Sequence, residues 1–331
     1  MKRFLLNALL FALILLVIGA ALDWVVTSGL RQSRLSDYSE WNDIVDGQAA
    51  ADILIQGSSR AWTSLSPQII SQRVGLSCYN LGFNGYTVDM QLARYHVYRE
   101  HDQKPKVIVQ ALDAYGLNTR DGIYTADQFL PYFDEPVLVD SLAQYHYFAW
   151  FDRYLPLVRY RGEDRTAYQG AMEFAGLRSY TTAKVKGYQG QDKLWDPKEL
   201  ADFVAQHPNG VAYGYNSIVE RQFDDFLSRC RQEGIFVVLV YPPEYIEAQR
   251  LTTNRAELLG IYRNLAAKYG FPLLDYSGDP LSRSTAYFYN SQHMNRQGAE
   301  LFSAEFAASL AGLLKEKGIA APGAGAPAPA A

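Results

Sequence analysis

Hydrophobic residues along the chain form short continuous runs, and each run is followed by apolar residues at helical spacing. This alternation is typical of parallel strands that are covered by helices on both faces. The predicted strands are residues 51–56, 77–81, 106–112, 235–241 and 272–275. The predicted helices are residues 66–74, 88–101, 218–232, 254–269 and 296–317. The sequence therefore predicts a three-layer α/β fold with about five parallel strands.

The alternating pattern stops between residues 116 and 213. This stretch carries many aromatic residues with scattered glycines and prolines, and no strand of the same kind. We predict an insert or lid at about 116–213, partly helical around 136–159 and 197–206. Tyrosine-rich surfaces can bind carbohydrate or a partner, but ordinary packing is the commoner use of these side chains.

The N-terminus has the pattern of a membrane segment. Lys2 and Arg3 precede an uncharged apolar stretch over residues 4–22, which at about 1.5 Å per residue is long enough to span the hydrocarbon core. Basic residues at this position keep the N-terminus cytoplasmic. We expect an uncleaved signal anchor or transmembrane helix at 1–26 and a connector at 27–49.

A cleaved signal peptide is the alternative, because residues 19–21 are small enough for a cleavage site. The apolar stretch is longer than a usual signal core and continues beyond Asp23, which favours the anchor. Both interpretations place the remaining chain in the periplasm or outside the cell.

Composition narrows the class of protein. The 331 residues are 48% hydrophobic and 20% charged, with a net charge of −4, which indicates a globular chain and argues against a nucleic-acid partner. A tail rich in Pro, Gly and Ala at 317–331 is expected to be disordered. Cys78 and Cys230 are predicted to be buried free thiols, and without clustered Cys/His spacing we expect no metal and no cofactor.

Candidate chemistry follows three of the predicted strands. The motif Gly57-Ser58-Ser59-Arg60 comes directly after the first strand, Asn84-Gly85 follows the second, and His293 lies beyond the fifth. Because parallel strands end at the same edge of a sheet, these groups are expected to converge.

The residue types suit acyl transfer through a serine. Ser59 is the candidate nucleophile and His293 the candidate general base. The main-chain amides of Ser59 and Gly85 are candidate donors to an oxyanion, with Ser58 and Asn84 beside them as substrate-binding candidates. The sequence thus predicts a serine hydrolase or acyltransferase.

These motifs resemble the SGNH (GDSL-type) hydrolase superfamily. Residues 53–59 are similar to its strand-Gly-Asp-Ser block, with Ser58 in place of the aspartate. Residues 80–85 are similar to its Asn-x-x-x-x-Gly block, and residues 290–293 to its Asp-x-x-His block. The resemblance implies a flavodoxin-like SGNH domain over residues 50–316.

The likeness is greatest to one branch of that superfamily. The Gly-Ser-Ser-Arg motif, the N-terminal anchor and the residues after His293 resemble proteins of D-alanyl-lipoteichoic-acid transfer and alginate O-acetylation. That branch works outside the cytoplasm with membrane-bound O-acyltransferases. The resemblance implies an esterase or O-acyltransferase that acts on an acylated cell-envelope or secreted polysaccharide.

Two departures from the family pattern leave alternatives open. Asn290 occupies the aspartate position, and in a triad protease the equivalent change costs about 10⁴ in turnover. The third-block asparagine is absent near Ala114-Tyr115, with Asn118 as a substitute if the loop bends.

One alternative is a Ser–His dyad, in which a backbone carbonyl, Asp275 or Asp279 orients His293. Another is a non-catalytic SGNH-like domain that binds glycan or assists a membrane-bound O-acyltransferase. A structural envelope protein is a third and weaker interpretation.

Overall fold

A five-stranded parallel sheet lies at the centre of the fold. The computed structural model describes residues 1–319, and its strands run in the order β2-β1-β3-β4-β5. The strands are β1 Ile53–Gln56, β2 Cys78–Asn80, β3 Val107–Ala111, β4 Phe236–Tyr241 and β5 Leu273–Asp275. Every neighbouring pair is parallel, so the predicted α/β class and sheet are confirmed.

Burial explains why these runs form strands. Every residue of β1 to β4 is buried, as expected of strands covered on both faces. Only β5, at the edge of the sheet, is partly exposed. Cys78 in β2 is a buried free thiol, and so is Cys230 in a covering helix, as predicted.

Thirteen α-helices lie within residues 1–319. They are α1 Lys2–Leu30, α2 Ser36–Val45, α3 Ser59–Ser64, α4 Pro67–Val74, α5 Val88–His101, α6 Pro136–Ala143, α7 Trp150–Tyr154, α8 Asp164–Phe174, α9 Pro197–Gln206, α10 Ser217–Gln232, α11 Ile246–Leu251, α12 Arg255–Tyr269 and α13 Arg296–Glu316. The five predicted helices correspond to α4, α5, α10, α12 and α13. Residues 320–331, most of the predicted disordered tail, lie outside the described part of the chain.

The strand order fixes where a site can form. The chain moves outward from β1 to β2 and then returns to place β3 on the other side of β1. In a doubly wound sheet, ligands bind at the carboxyl ends of the strands where the order reverses. That position lies between the ends of β1 and β3.

The chain divides into two compact units. The helical unit consists of Met1–Gln48 and Asp121–Ala183, and the sheet unit consists of Ala49–Arg120 and the chain from Lys184 onward. The sheet unit therefore includes α9, which the sequence places in the insert at 116–213. The other predicted helical stretch of the insert, at 136–159, contains α6 and α7.

The helical unit contains the N-terminal apolar segment. Helix α1 is the one described helix that is long and apolar enough to cross a membrane, a property that anchors and signal sequences share. Its C-terminal end packs on α8 with backbones in close approach, because a Cβ at Gly29 would lie 1.8 Å from the Gly170 carbonyl oxygen. In the predicted connector at 27–49, α2 buries Trp41 completely.

Candidate active site

The turn from β1 into α3 depends on a glycine. Gly57 has a φ of +145°, and a Cβ there would lie 2.8 Å from the Ala111 Cβ. Ser58 then caps α3, since its Oγ accepts the Arg60 main-chain N–H at 3.2 Å. Ser59 begins the helix, and at that position an amide has no acceptor within the helix.

A hydrogen-bonded chain joins Ser59, His293 and Asn290. Ser59 Oγ lies 2.7 Å from His293 Nε2, and His293 Nδ1 lies 2.9 Å from Asn290 Oδ1. The hydroxyl, the imidazole and the amide are thus arranged in the order of nucleophile, base and orienting group.

The Asn290 side chain fixes the tautomer of the imidazole. Asn290 Oδ1 also accepts the main-chain N–H groups of Gln292 at 3.1 Å and His293 at 2.9 Å. Two backbone donors require that this atom be oxygen, which settles the orientation of the amide. Nδ1 of His293 must then carry the proton, and the lone pair on Nε2 faces the serine hydroxyl.

The surroundings of His293 keep the imidazole neutral. Burial, together with the positive charges of Arg60 and Lys193, lowers the pKa of His293 to about 4. The Tyr289 ring stacks on the imidazole with centroids 5.4 Å apart, and the Lys193 ammonium lies 5.2 Å from the centre of that tyrosine ring. A neutral imidazole is the form that can accept the serine proton.

Arg60 links the ends of three strands. Its side chain is 3% exposed and lies 3.4 Å from both the Asp113 and the Glu244 carboxylates. It also donates to the main-chain carbonyls of Leu112 at 3.3 Å and Pro242 at 2.5 Å. A guanidinium with several donors in a fixed plane suits this meeting point of β1, β3 and β4.

Tyr115 occupies the loop where the family pattern has its third-block asparagine. Its hydroxyl lies 3.5 Å from the Oγ of Ser58, the residue next to Ser59. Burial raises the pKa of Tyr115, so the hydroxyl keeps its proton and can donate. In the same loop, Asn118 Oδ1 accepts the Thr119 main-chain N–H at 2.9 Å.

The second block continues beside the serine turn. The Phe83 N–H donates to the Gly57 carbonyl at 2.8 Å, so Asn84 and Gly85 follow at the same edge of the sheet. Gly85 has a φ of +73°, in the left-handed region that favours glycine. Asn80 is structural, with its amide donating to two carbonyls of the α3 segment.

A cavity of about 320 Å³ adjoins these residues. It lies within the sheet unit, and Tyr115, Gln292 and α9 contribute to its wall. Its other lining residues combine charged, aromatic, small polar and aliphatic side chains: Arg60, Ala114, Tyr213, Glu244, Ala248, Leu251, Thr252 and Ser291. A partly aromatic and partly polar pocket of this size suits a small organic group.

The structure thus brings Ser59, His293 and Asn290 into one chain of hydrogen bonds. Ser58 is buried as a helix cap and offers no surface to a ligand. Of the proposed alternatives to Asn290, Asp275 bonds Arg263 and Ser277. Asp279 accepts the main-chain N–H of Leu281.

Sequence reasoning missed the parts played by four residues of this site, namely Arg60, Tyr115, Lys193 and Tyr289. For two of them a signal was present, because Arg60 stands inside the serine motif and Tyr115 follows the third strand. Lys193 belongs to the segment placed in the insert, and only the folded chain shows that it lies near the histidine.

Comparison with known proteins gives structural likenesses only. No family model matches the sequence, and no curated protein matches it. One similar solved structure is a predicted acylhydrolase from Bacteroides fragilis NCTC 9343, at 12% identity, with 78% of this chain and 87% of that chain covered and a TM-score of 0.31. Another is Est24, a carbohydrate acetylesterase from Sinorhizobium meliloti, at 11% identity, with 79% and 98% covered and a TM-score of 0.32.

Proposed function

We propose that this chain is a membrane-anchored serine esterase or O-acyltransferase that acts outside the cytoplasm on an acylated polysaccharide. The observation that carries the proposal is the hydrogen-bonded chain from Ser59 through His293 to Asn290. The order of motifs at 53–59, 80–85 and 290–293 supports membership of the SGNH superfamily, in its membrane-anchored branch.

The first half of the reaction transfers an acyl group to the serine. Ser59 Oγ attacks the ester carbonyl carbon while His293 Nε2 takes the hydroxyl proton. The ester oxygen then leaves with its electron pair and receives that proton from Nε2, which leaves an acyl group on Ser59. Asn290 Oδ1 holds the Nδ1–H bond throughout, so the imidazole keeps its orientation.

The tetrahedral intermediate needs donors for its negative oxygen. The main-chain amides of Ser59 and Gly85 are the candidates from the sequence, and the Tyr115 hydroxyl is an additional candidate from the structure. Each such donor contributes roughly 10²- to 10³-fold in turnover in well-studied enzymes.

The second half of the reaction differs between hydrolysis and transfer only in the attacking group. Water yields the free acid, whereas a sugar hydroxyl yields a new ester, and His293 takes the proton in both cases. Anchoring by α1 supports transfer, because it raises the effective concentration of the domain beside a membrane-bound O-acyltransferase. The cavity beside the triad supports a sugar substrate, since Tyr115 and Tyr213 can pack on a ring while Glu199 and Gln292 accept or donate hydrogen bonds.

The proposal is tested by acetate release from acetylated polysaccharides and from a chromogenic acetyl ester. The full chain should release acetate, and Ser59→Ala should reduce the rate by at least about 10³-fold. Ser64→Ala is the matched control, because Ser64 lies in the same short helix and should retain activity. Equal rates for the full chain and Ser59→Ala would contradict the proposal.

A non-catalytic accessory role is the second candidate. It is favoured by one observation, namely that Asn290 supplies no negative charge to an imidazolium. In cells, this role predicts full polymer acylation by a Ser59→Ala, His293→Ala double variant. Loss of acylation in that variant would favour the enzyme.

A further inference from the structure

An exposed aromatic turn lies in the helical unit, far along the sequence from Ser59. It consists of α7 and the following residue, Leu155. Trp150 is 76% exposed and Tyr154 is 67% exposed, and Leu155 is also exposed. Large apolar side chains grouped on one surface mark a contact with a partner or a membrane.

The turn is held rigidly from its opposite face. Asp152 is buried, accepts the Ala149 main-chain N–H at 2.8 Å and forms an ion pair with Arg161. Trp150 and Tyr154, four residues apart, share the other face, and their ring centroids are 6.4 Å apart. The aromatic pair is therefore presented outward by a fixed backbone.

The chain that leaves the turn contacts α1 where the apolar segment ends. A Cβ at Gly19 would lie 3.4 Å from the Pro156 Cβ. The Leu157 main-chain N–H donates to Asp23 at 2.9 Å, and Arg159 forms an ion pair with the same aspartate. Asp23 is the first charged residue after Arg3, so this contact lies where the long uncharged stretch of α1 ends.

An apolar cavity of about 440 Å³ opens beside the turn. Trp150 and Tyr154 line it together with Phe133, Leu142 and Phe148. Arg153 lines the same cavity, and its guanidinium lies 5.8 Å from the centre of the Tyr154 ring. Aromatic rings with an adjacent cation are the combination found at the headgroup level of a bilayer.

We propose that the aromatic turn inserts into the headgroup region of the bilayer that α1 spans, as a second membrane contact of the helical unit. The inference rests on the anchored form of the proposed function. Trp and Tyr favour this region because one part of each side chain is apolar and the other can hydrogen-bond to water. Two contacts restrict the rotation of the unit about the axis of α1, which one helix alone does not do.

Quenching of tryptophan fluorescence by lipid tests the proposal. The full chain is reconstituted in phosphatidylcholine vesicles whose acyl chains are brominated near the headgroup end. Of the five tryptophans, Trp24 and Trp150 are strongly exposed. Trp150→Phe should therefore remove about half of the lipid-quenched emission, since both indoles are expected at the interface. Trp195→Phe should remove none, because Trp195 packs against Tyr245.

The outcomes separate this proposal from the anchor and from the catalytic claim. Unchanged quenching in Trp150→Phe with loss of quenching in Trp24→Phe contradicts insertion of the aromatic turn and still supports α1 as the anchor. No lipid quenching in the full chain or in any variant contradicts both insertion of the aromatic turn and anchoring by α1. Shielding of Trp150 from aqueous acrylamide without quenching by lipid also overturns it, since a protein partner or a second copy then covers the turn. Esterase activity of each variant reports that the chain is folded and tests Ser59 independently.

Discussion

The orientation of one amide decides whether the Ser59–His293 pair can work. An asparagine in place of aspartate removes the charge that would stabilise an imidazolium, and it can also hold the wrong tautomer. Here the two backbone donors to Asn290 Oδ1 prevent the second problem. What Asn290 lacks is charge alone.

Substitutions of Asn290 separate charge from orientation. Asn290→Asp keeps the acceptor and adds a negative charge, which should raise the pKa of His293 by about 1–3. The acid limb of the pH profile of kcat/KM should move upward by the same amount. Asn290→Ala removes the acceptor and should lower kcat on the order of 10²-fold. An unchanged pH profile in Asn290→Asp would show that the residue does not act on the imidazole.

The pKa of His293 is itself measurable. Because burial lowers it to about 4, kcat/KM should be independent of pH from about 5 to 8 and fall below about 4. The unfolded imidazole titrates near 6.5 and takes up its proton first as the pH falls. Stability from the neutral imidazole is therefore complete above about 6.5 and is lost between about 6.5 and 4. NMR titration, with His293→Gln to assign the signal, checks the value, and a midpoint at or above 6.5 would contradict it.

At the scale of elements, Arg60 joins strands that are far apart in sequence. Without Arg60, the buried carboxylates of Asp113 and Glu244 lose the positive charge that lies 3.4 Å from each of them. Arg60→Gln should lower the free energy of unfolding by about 3–5 kcal/mol, because breaking a buried ion pair leaves an uncompensated charge. Chemical denaturation of the full chain in detergent measures this.

Arg263→Gln is the control for Arg60. Arg263 pairs with Asp275 on a partly exposed surface, where an ion pair is worth about 0–1 kcal/mol. Similar losses in the two variants would contradict the structural role of Arg60.

The elements that the sequence predicts best are strands that are buried on both faces. Strand β4, with the sequence FVVLVY, is an example, because its continuous apolar run predicts a strand that is covered on both faces. The sequence pattern does not indicate helix α8, because Gly170 lies on its packing face. A glycine lowers helix propensity, although here it permits the close approach to α1. Helix α3 is only six residues long, too short for helical periodicity to indicate it.

At the scale of the whole molecule, the sequence indicates the sheet and its reactive edge better than the helical unit. The strand order converts distant motifs into neighbours, so Ser59 and His293 were predictable as a pair. The division at 121–183 follows from packing between α1 and α8, which local patterns do not record. Local patterns likewise do not indicate that Lys193 and α9 lie near the site, because tertiary packing brings them there.

The proposed membrane anchor predicts how the whole chain partitions between membrane and solution. Ile14→Arg places a charge in the middle of the apolar segment, at a cost of about 2.5–3.5 kcal/mol for insertion. The variant should be extracted from membranes by alkaline carbonate, whereas the unchanged chain should remain in the pellet. Leu301→Arg, at an exposed position of α13, should behave like the unchanged chain. An intact mass lower than that of the 331-residue chain by the mass of its N-terminal segment would instead indicate a cleaved signal peptide.

Covalent labelling of Ser59 shows whether its hydroxyl is an activated nucleophile. The full chain is treated with a fluorophosphonate that reacts with activated serines, and the adduct is located by mass spectrometry of the peptides. We expect one adduct on Ser59 that is absent in Ser59→Ala and strongly reduced in His293→Ala, because the hydroxyl needs the imidazole as its base. No adduct on Ser59, or equal labelling with and without His293, would contradict this activation.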